Sequence, residues 1–156
     1  MNPTFEITTD KDLIQGFLLN PRAFVRMAND DGRHPRRSDL DKALKCMWFC
    51  VARVDGLPVA LFVIQPLTPE SAEVHFCFSP SEWGRTKPIC EQFLEWVWAN
   101  STAQALCGPV PAYNRLALSL ALSCGFKEYH REQGAVKKNG KKYDLIQTRL
   151  ERPAAA

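Results

Sequence analysis

One short segment of alternating character carries side chains suited to proton transfer. Between Ser71 and Ser79, alternate positions are apolar: Ala72, Val74, Phe76 and Phe78. Alternation with a period of two is typical of a β-strand, so Glu73 and His75 are predicted to share the opposite face. Both residue types exchange protons in enzymes. The same pattern also describes the wetter face of a half-buried strand, and that alternative stays open.

The loop after this strand leads into a helix and could hold an anion. Residues 80–86 contain Gly84, and an amphipathic helix is predicted from Lys87 to Asn100. The first amides of a helix lack intrahelical acceptors and the helix dipole favours negative charge, so such a junction can bind phosphate. An ordinary strand-to-helix turn is the alternative, because there is one glycine only and Pro88 removes one donor.

Three side chains near this junction could help to bind an anion. Arg85 and Lys87 would supply positive charge. Trp83 precedes Gly84 in the loop and is expected to be partly exposed and close to a ligand.

Hydrophobic periodicity predicts the elements that position these residues. Helices are predicted between Asp10 and Asn20, from Ser38 onward, and over Arg22–Ala28, Lys87–Asn100 and Ala112–Cys124. Strands are predicted over Trp48–Val54, Leu57–Gln65, Ser71–Ser79, Gln104–Gly108, Phe126–Gly134 and Lys141–Leu150. Asp55-Gly56 and Asn139-Gly140 are typical of two-residue hairpin turns. This order predicts an α/β (α+β) fold with a mixed, mostly antiparallel sheet flanked by helices.

Size and composition restrict the class of protein. The 156 residues (17.7 kDa) suit one domain, assigned to residues 1–152, with a disordered tail over 153–156. A hydrophobic fraction of 46% and a charged fraction of 24% exclude disorder as the main state. No apolar segment approaches the ~20 residues needed to span a bilayer, and the first residues lack a signal-peptide pattern. We therefore expect a cytoplasmic protein with no membrane association.

The six cysteines are expected to be reduced and to serve packing. They stand at positions 46, 50, 77, 90, 107 and 124, with no Cys-x-x-Cys pair. Most lie in apolar stretches, as buried free thiols do. A zinc site built from His75, Cys77, Cys46 and Cys50 would lack the usual ligand spacing, so no metal is expected.

The order of elements, together with the loop at 81–86, resembles the GNAT superfamily of acyl-CoA-dependent N-acetyltransferases. In that family the loop after the fourth strand carries Gln/Arg-x-x-Gly-x-Gly/Ala. The aligned residues here are Ser81-Glu82-Trp83-Gly84-Arg85-Thr86. Gly84 matches the pattern, whereas Ser81 and Thr86 depart from it.

A second family motif lies in the last predicted helix. The family shows Asn-x-x-Ala, then a tyrosine, then Gly-Phe. Asn114, Ala117 and Gly125-Phe126 match in type and spacing, but Ala121 stands at the tyrosine position. The tyrosine often protonates the departing thiolate in the family, so its absence leaves the general acid open. The nearby alternatives are Ser119, Ser123, Cys124 and Tyr113.

The resemblance implies direct transfer of an acetyl group from acetyl-CoA to an amine. Main-chain groups near Cys77 and Phe78 would hold the pantetheine arm. Further cofactor contacts would come from Ser81, Trp83, Gly84, Arg85, Thr86 and Asn114. The resemblance also points to Glu73 and His75 as candidates for the general base.

The incomplete motifs leave a second interpretation open. A protein can keep a fold after losing its chemistry. The chain is also similar to small, divergent GNAT-like proteins encoded by bacteriophages, some of which serve as accessory or particle components. The alternative is therefore a catalytically degenerate binding or structural protein.

The positive charge is concentrated in two segments. The formal net charge is +3. One basic loop contains Arg33, Arg36 and Arg37, and one hairpin turn contains Lys137, Lys138, Lys141 and Lys142. The turn is interpreted either as a solvated tip, which lysines protect from edge pairing, or as a contact for an acidic protein, nucleic acid or a CoA phosphate.

Overall fold

The computed structural model of the protein describes residues 2–155, and its main feature is one seven-stranded sheet. The strands are β1 (Thr4–Thr8), β2 (Trp48–Val54), β3 (Leu57–Thr68), β4 (Ser71–Phe78), β5 (Ala105–Pro111), β6 (Lys127–Lys138) and β7 (Lys141–Glu151). The helices are α1 (Lys11–Leu18), α2 (Pro21–Met27), α3 (Arg37–Ala43), α4 (Thr86–Asn100) and α5 (Arg115–Ser123). A 3₁₀ turn, Pro80–Glu82, joins β4 to α4.

The sheet is mixed and mostly antiparallel, which confirms the predicted fold class. Its order is β1-β2-β3-β4-β5-β7-β6, and β4 with β5 is the parallel pair. Strand β1, which was not predicted, pairs with β2 at one edge. It holds five residues and was missed because so short a segment gives a weak periodic signal.

Both predicted hairpin turns are confirmed. Asp55 and Gly56 have φ angles of 51° and 78°, and Asn139 and Gly140 have φ angles of 51° and 77°. Two successive residues in the left-handed region form the turn that matches the twist of the flanking strands. These turns fix the registers of β2 with β3 and of β6 with β7.

Helices cover the sheet on both faces. Helices α4 and α5 pack against one face, where the rings of Phe62 and Phe93 stack with centroids 3.8 Å apart. Helices α1–α3 cover the other face of β2–β4, where Ile14 of α1 is fully buried. Asp10 caps the start of α1 at the predicted position, because its carboxylate accepts hydrogen bonds from the amides of Asp12 and Leu13.

Strands β4 and β5 separate soon after they pair. Their ladder covers three residue pairs, Ser71–Glu73 with Ala105–Cys107. The Ala112 amide donates to the Asp144 carbonyl on β7. Successive backbone nitrogens of a strand point to opposite sides, so those of Pro109 and Pro111 face β4. Proline has no N–H to donate, and the β4-facing edge of β5 therefore cannot continue the ladder.

Several predicted boundaries differ from the structure: β3 continues to Thr68 instead of Gln65, and β6 continues to Lys138 instead of Gly134. Strand β5 was predicted to end at Gly108 but continues to Pro111, because both prolines face the open edge. Helix α5 begins at Arg115 instead of Ala112. Leu116 of this helix is 58% exposed, since only part of the helix contacts the sheet.

The structure describes three of the four residues of the predicted tail. Residues 153–155 have no helix or strand, and Ala156 of the predicted tail lies outside the described residues. The single domain over 1–152 stays a prediction. None of the helices within residues 2–155 is long and apolar enough to cross a membrane.

Candidate active site

A cavity lies in the gap between β4 and β5. It has a volume of about 150 Å³ and is lined by residues from both strands and from α5, including His75, Gly108, Asn114 and Ala121. Val74 and Phe76 lie on one face of β4 and His75 on the other, and all three line the cavity. The cavity is therefore bordered by residues from both faces of β4, including His75.

A larger cavity adjoins it on the side of α4 and α5. Its volume is about 280 Å³, and its walls come from α2, the end of β4, the start of α4 and α5. The apolar wall includes Phe76, Cys77, Phe78, Leu116 and Leu120, and the polar lining includes Arg26, Thr86, Lys87, Asn114, Ser119 and Ser123. Four residues line both cavities: Met27, Phe76, Asn114 and Ala117. An elongated ligand could thus reach from the start of α4 to His75.

Glu73 and His75 form a pair on β4. His75 Nε2 lies 2.7 Å from Glu73 Oε1, and their side chains are 46% and 27% exposed. An ionised carboxylate only accepts hydrogen bonds, so it favours the tautomer with the proton on Nε2. In that tautomer Nδ1 carries a lone pair that can accept a proton.

The loop before α4 presents amides without protein partners. Among the described residues, the amides of Gly84, Thr86 and Lys87 donate to no protein acceptor. These groups lie at the start of a fifteen-residue helix, where the dipole favours an anion. A Cβ built on Gly84 would meet no atom within 4 Å, so a side chain there would extend into open space.

Arg85 is not a free cation of this loop. Its guanidinium lies 3.0 Å from the carboxylate of Glu82, whose side chain is 8% exposed. A buried carboxylate requires a partner, and Arg85 supplies it. The Ser81 hydroxyl also forms its hydrogen bonds within the loop, 3.2 Å from the Ser79 hydroxyl and 3.4 Å from Glu82 Oε1. Ser81, Gly84 and Arg85 do not line either cavity.

Two arginines of α2 lie over the ring system of Trp83. The guanidinium carbons of Arg26 and Arg22 lie 4.5 Å and 5.3 Å from the ring centroid. Trp83 is partly buried and lines the larger cavity, together with Arg26. Neither arginine was predicted to belong to the site. Their spacing of four places them on one helix face, but Trp83 is about sixty residues away in the chain.

Cys77 is buried and contributes to packing as well as to the cavity wall. Its Sγ lies 3.6 Å from the Phe17 carbonyl oxygen, and burial raises the pKa of the thiol to about 11. Phe78 is buried beside it. Beyond Glu73, the β5-facing edge of β4 has no strand partner within residues 2–155, which leaves main-chain groups for a ligand.

Asn114 caps α5 at the junction of the two cavities. Its Oδ1 accepts a hydrogen bond from the Ala117 amide at 3.2 Å. Its Nδ2 donates to no protein acceptor among the described residues and could contact a ligand.

The candidates for a general acid occupy different places. Ser119 and Ser123 line the larger cavity, and the Ser123 hydroxyl donates to the Leu120 carbonyl. The Tyr113 hydroxyl donates to Met27, and burial raises its pKa. Cys124 does not line either cavity. Ala121, which stands at the tyrosine position of the family motif, is buried in the wall of the smaller cavity. It offers no proton donor there.

All six cysteines are free, and the packing prediction holds for most of them. Cys50, Cys77, Cys90 and Cys107 are buried and Cys124 is partly buried. Cys46 is exposed, contrary to the prediction, because it lies in the turn after α3. Within residues 2–155, no three His, Cys, Asp or Glu side chains are grouped as metal ligands.

The basic hairpin tip folds back onto the chain. Lys138 Nζ donates to the carbonyls of Val25 and Ala28 at the end of α2, at 2.5 Å and 2.6 Å. The Asp30 carboxylate accepts hydrogen bonds from the amides of Asn139 and Gly140. Lys138 was predicted to belong to an exposed basic surface, but it caps α2 instead.

The fold matches solved N-acetyltransferase structures over nearly the whole chain. Spermidine N-acetyltransferase from Vibrio cholerae, solved with CoA and spermine, has a TM-score of 0.79, 15% identity and coverage of 96% of this chain and 95% of its own. The yncA protein of Salmonella typhimurium, solved with acetyl-CoA, has a TM-score of 0.74, 16% identity and coverage of 100% and 98%.

RimL, a ribosomal-protein alpha-N-acetyltransferase solved with CoA, has a TM-score of 0.73, 11% identity and coverage of 95% and 94%. No protein-family model and no curated protein sequence matches the chain. The structural likenesses establish the fold: a GNAT acyl-CoA N-acyltransferase fold, as the sequence motifs predicted.

Proposed function

We propose that the protein is an N-acetyltransferase that moves an acetyl group directly from acetyl-CoA to an amine. The observation that carries the proposal is the opening between β4 and β5. On one side it adjoins the cavity that ends at the amides of the loop before α4, and on its wall lies His75, paired with Glu73. Donor and acceptor can thus meet where a base is already oriented.

The donor side suits a long ligand that ends in phosphates. The amides of Gly84, Thr86 and Lys87 would hold the pyrophosphate at the start of α4. The unpaired edge of β4 near Cys77 and Phe78 would hold the pantetheine arm. The three solved neighbours named above contain CoA or acetyl-CoA, which supports this donor.

The chemistry requires one proton acceptor. The amine nitrogen attacks the thioester carbonyl carbon, a C–N bond forms, and the C–S bond breaks. His75 Nδ1 takes the proton that the amine nitrogen loses, while Glu73 holds the imidazole through Nε2. The thiolate leaves with its electron pair and takes a proton from water, so the absence of a tyrosine at Ala121 does not prevent turnover.

A cytoplasmic location and an unassigned amine or protein acceptor belong to the same proposal. Six free thiols suit a reducing compartment.

The acceptor would approach His75 from the face opposite α4 and α5. Lys137, Lys141 and Lys142 remain exposed at the hairpin tip and could contact an acidic protein or nucleic acid. Such binding would weaken steeply with added salt and with loss of these lysines.

A second candidate is a binding protein that has lost the reaction. The observation in its favour is the buried Glu82, which places a negative charge inside the anion-binding loop. Such a protein, for example a phage accessory or virion component, would bind a ligand or partner without releasing CoA.

One assay separates the two candidates. Acetyl-CoA is incubated with the protein and with separate pools of small amines, polyamines and peptides. Thiol release and the mass of the acetylated product are then measured. The transferase proposal predicts product in at least one pool and its loss in His75→Gln. Binding of acetyl-CoA without product in any pool would favour the binding protein.

A further inference from the structure

Arg22 and Arg26 contact the ring of Trp83, and neither is paired with a carboxylate among the described residues. Arg22 and Arg26 belong to α2 and lie four residues apart, on the same side of the helix. Within residues 2–155, neither guanidinium forms an ion pair or a side-chain hydrogen bond. Both side chains are exposed, and both guanidinium groups lie over the ring of Trp83.

Stacking orients a guanidinium without consuming its hydrogen-bond donors. A cation over an indole ring is attracted by the electrons of the ring face, while the N–H groups at its edge stay available. Trp83 therefore holds two guanidinium groups in place and leaves their donors for an anion. Helix α2 is itself fixed, because Ala23 is buried and Lys138 caps its last carbonyls.

The cations of the loop next to these arginines both form ion pairs with carboxylates. Arg85, the arginine of the loop, is neutralised by Glu82. Lys87 forms an ion pair of 3.4 Å with Glu91. The open amides of the loop would thus meet a phosphate with little uncompensated positive charge of their own.

We propose that Arg22 and Arg26, held by Trp83, bind the pyrophosphate of CoA from the side of α2. This inference rests on the proposed function, because it assumes a CoA ligand in the larger cavity. Arg26 and Trp83 line that cavity together with Thr86 and Lys87, so the arginine lies beside the amides that would hold the same group. Guanidinium groups are well suited to phosphate because they offer paired, charged donors.

Calorimetric titration with CoA and with dephospho-CoA tests the assignment. The proteins are wild type, Arg26→Gln, the double variant Arg22→Gln with Arg26→Gln, and the control Arg53→Gln. Arg53 is a β2 arginine that pairs with Glu6, and its substitution removes one positive charge, as Arg26→Gln does. Each titration is made at low salt and at about 0.5 M salt, where the Debye length is only a few ångströms.

The double variant is expected to bind both ligands at least about tenfold more weakly at low salt, since a hydrogen bond to a charged group contributes about that factor. The deficit should shrink at high salt, which a purely structural defect would not produce. Arg26→Gln should show part of the loss and Arg53→Gln none.

Three results would contradict the inference in distinguishable ways. If wild type binds CoA and the double variant binds it equally well, the arginines are not phosphate ligands. A deficit with CoA that disappears with dephospho-CoA would move the contact to the 3′-phosphate and overturn the pyrophosphate assignment. If wild type binds neither ligand, the proposed function itself fails.

Discussion

His75 Nε2 lies 2.7 Å from Glu73 Oε1, and both side chains project from the same face of β4 at the point where β5 leaves the ladder. The pair thus lies where the two strands separate, and His75 lines the cavity in the gap between them. A carboxylate that orients an imidazole through one nitrogen leaves the other nitrogen as the proton acceptor.

Substitution of His75 by glutamine should lower kcat/KM for acetyl transfer by about a hundredfold, because a positioned general base contributes about that factor or more. Glu73→Gln should lower it less, by about tenfold, since a neutral amide replaces the carboxylate that orients the ring and stabilises its protonated form. Glu95→Gln, on the exposed side of α4, is the control and should change nothing. Equal kcat/KM values in wild type and in a protein that carries both His75→Gln and Glu73→Gln would show that neither residue acts in the mechanism.

Asp30 should make the hairpin contact sensitive to acid. Hydrogen bonds from the amides of Gly140 and Asn139 lower the pKa of Asp30. Because the pKa is lower in the folded state, the stabilisation is present above the unfolded pKa of about 3.9 and is lost as the pH falls through the folded value.

Melting temperatures of wild type and Asp30→Asn, measured from about pH 3 to about pH 7, test this contact. Wild type should melt at the higher temperature at neutral pH, and the difference should close in acid. A difference that stays constant across the range would mean that ionised Asp30 does not stabilise the hairpin.

Lys138 should stabilise α2 through its last carbonyls. A cation at the C-terminal end of a helix favours the helix dipole, and Lys138→Met should cost about 1 kcal/mol of unfolding free energy. Lys141→Met, on the exposed side of the same turn, should cost little. Chemical denaturation of the two variants provides the comparison, and equal losses would argue against the cap.

Arg152 should anchor the end of the chain. Its guanidinium donates to the carbonyls of Trp98 and Ser101 at the end of α4 and lies 5.5 Å from the centre of the Trp98 ring. Arg152→Gln should therefore lower the free energy of unfolding by about 2 kcal/mol.

Two truncations provide the matched test of this anchor. Removal of residues 153–156 should leave the melting temperature unchanged, whereas removal of 152–156 should lower it. Equal melting temperatures of the two truncated proteins would contradict the anchor and the domain limit at residue 152.

Local sequence signals predicted much of the fold. Asp55-Gly56 and Asn139-Gly140 specify their turns through backbone conformation alone, and Asp10 specifies the start of α1 through a cap. These signals are complete within a few residues. The alternation around Glu73 and His75 likewise places both on one strand face without reference to the rest of the chain.

The features of the site that depend on distant residues could not be predicted in this way. The separation of β4 from β5 depends on which edge of β5 carries Pro109 and Pro111, and that is known only once β7 is paired. The contact of Arg26 with Trp83 joins segments far apart in the chain. Lys138 was assigned to an exposed surface because nothing near it in sequence indicates that α2 lies beneath it.

The most direct test of the central claim is the change in melting temperature that acetyl-CoA produces. A ligand that binds only the folded protein raises its stability, so wild type should show a clear increase at millimolar acetyl-CoA. Gly84→Glu should abolish the increase, because the new side chain would enter the space of the pyrophosphate and repel it. Gly16→Glu is the matched control, since a Cβ at Gly16 also meets no atom within 4 Å. An absence of any shift in wild type, or an equal shift in Gly84→Glu, would contradict the account.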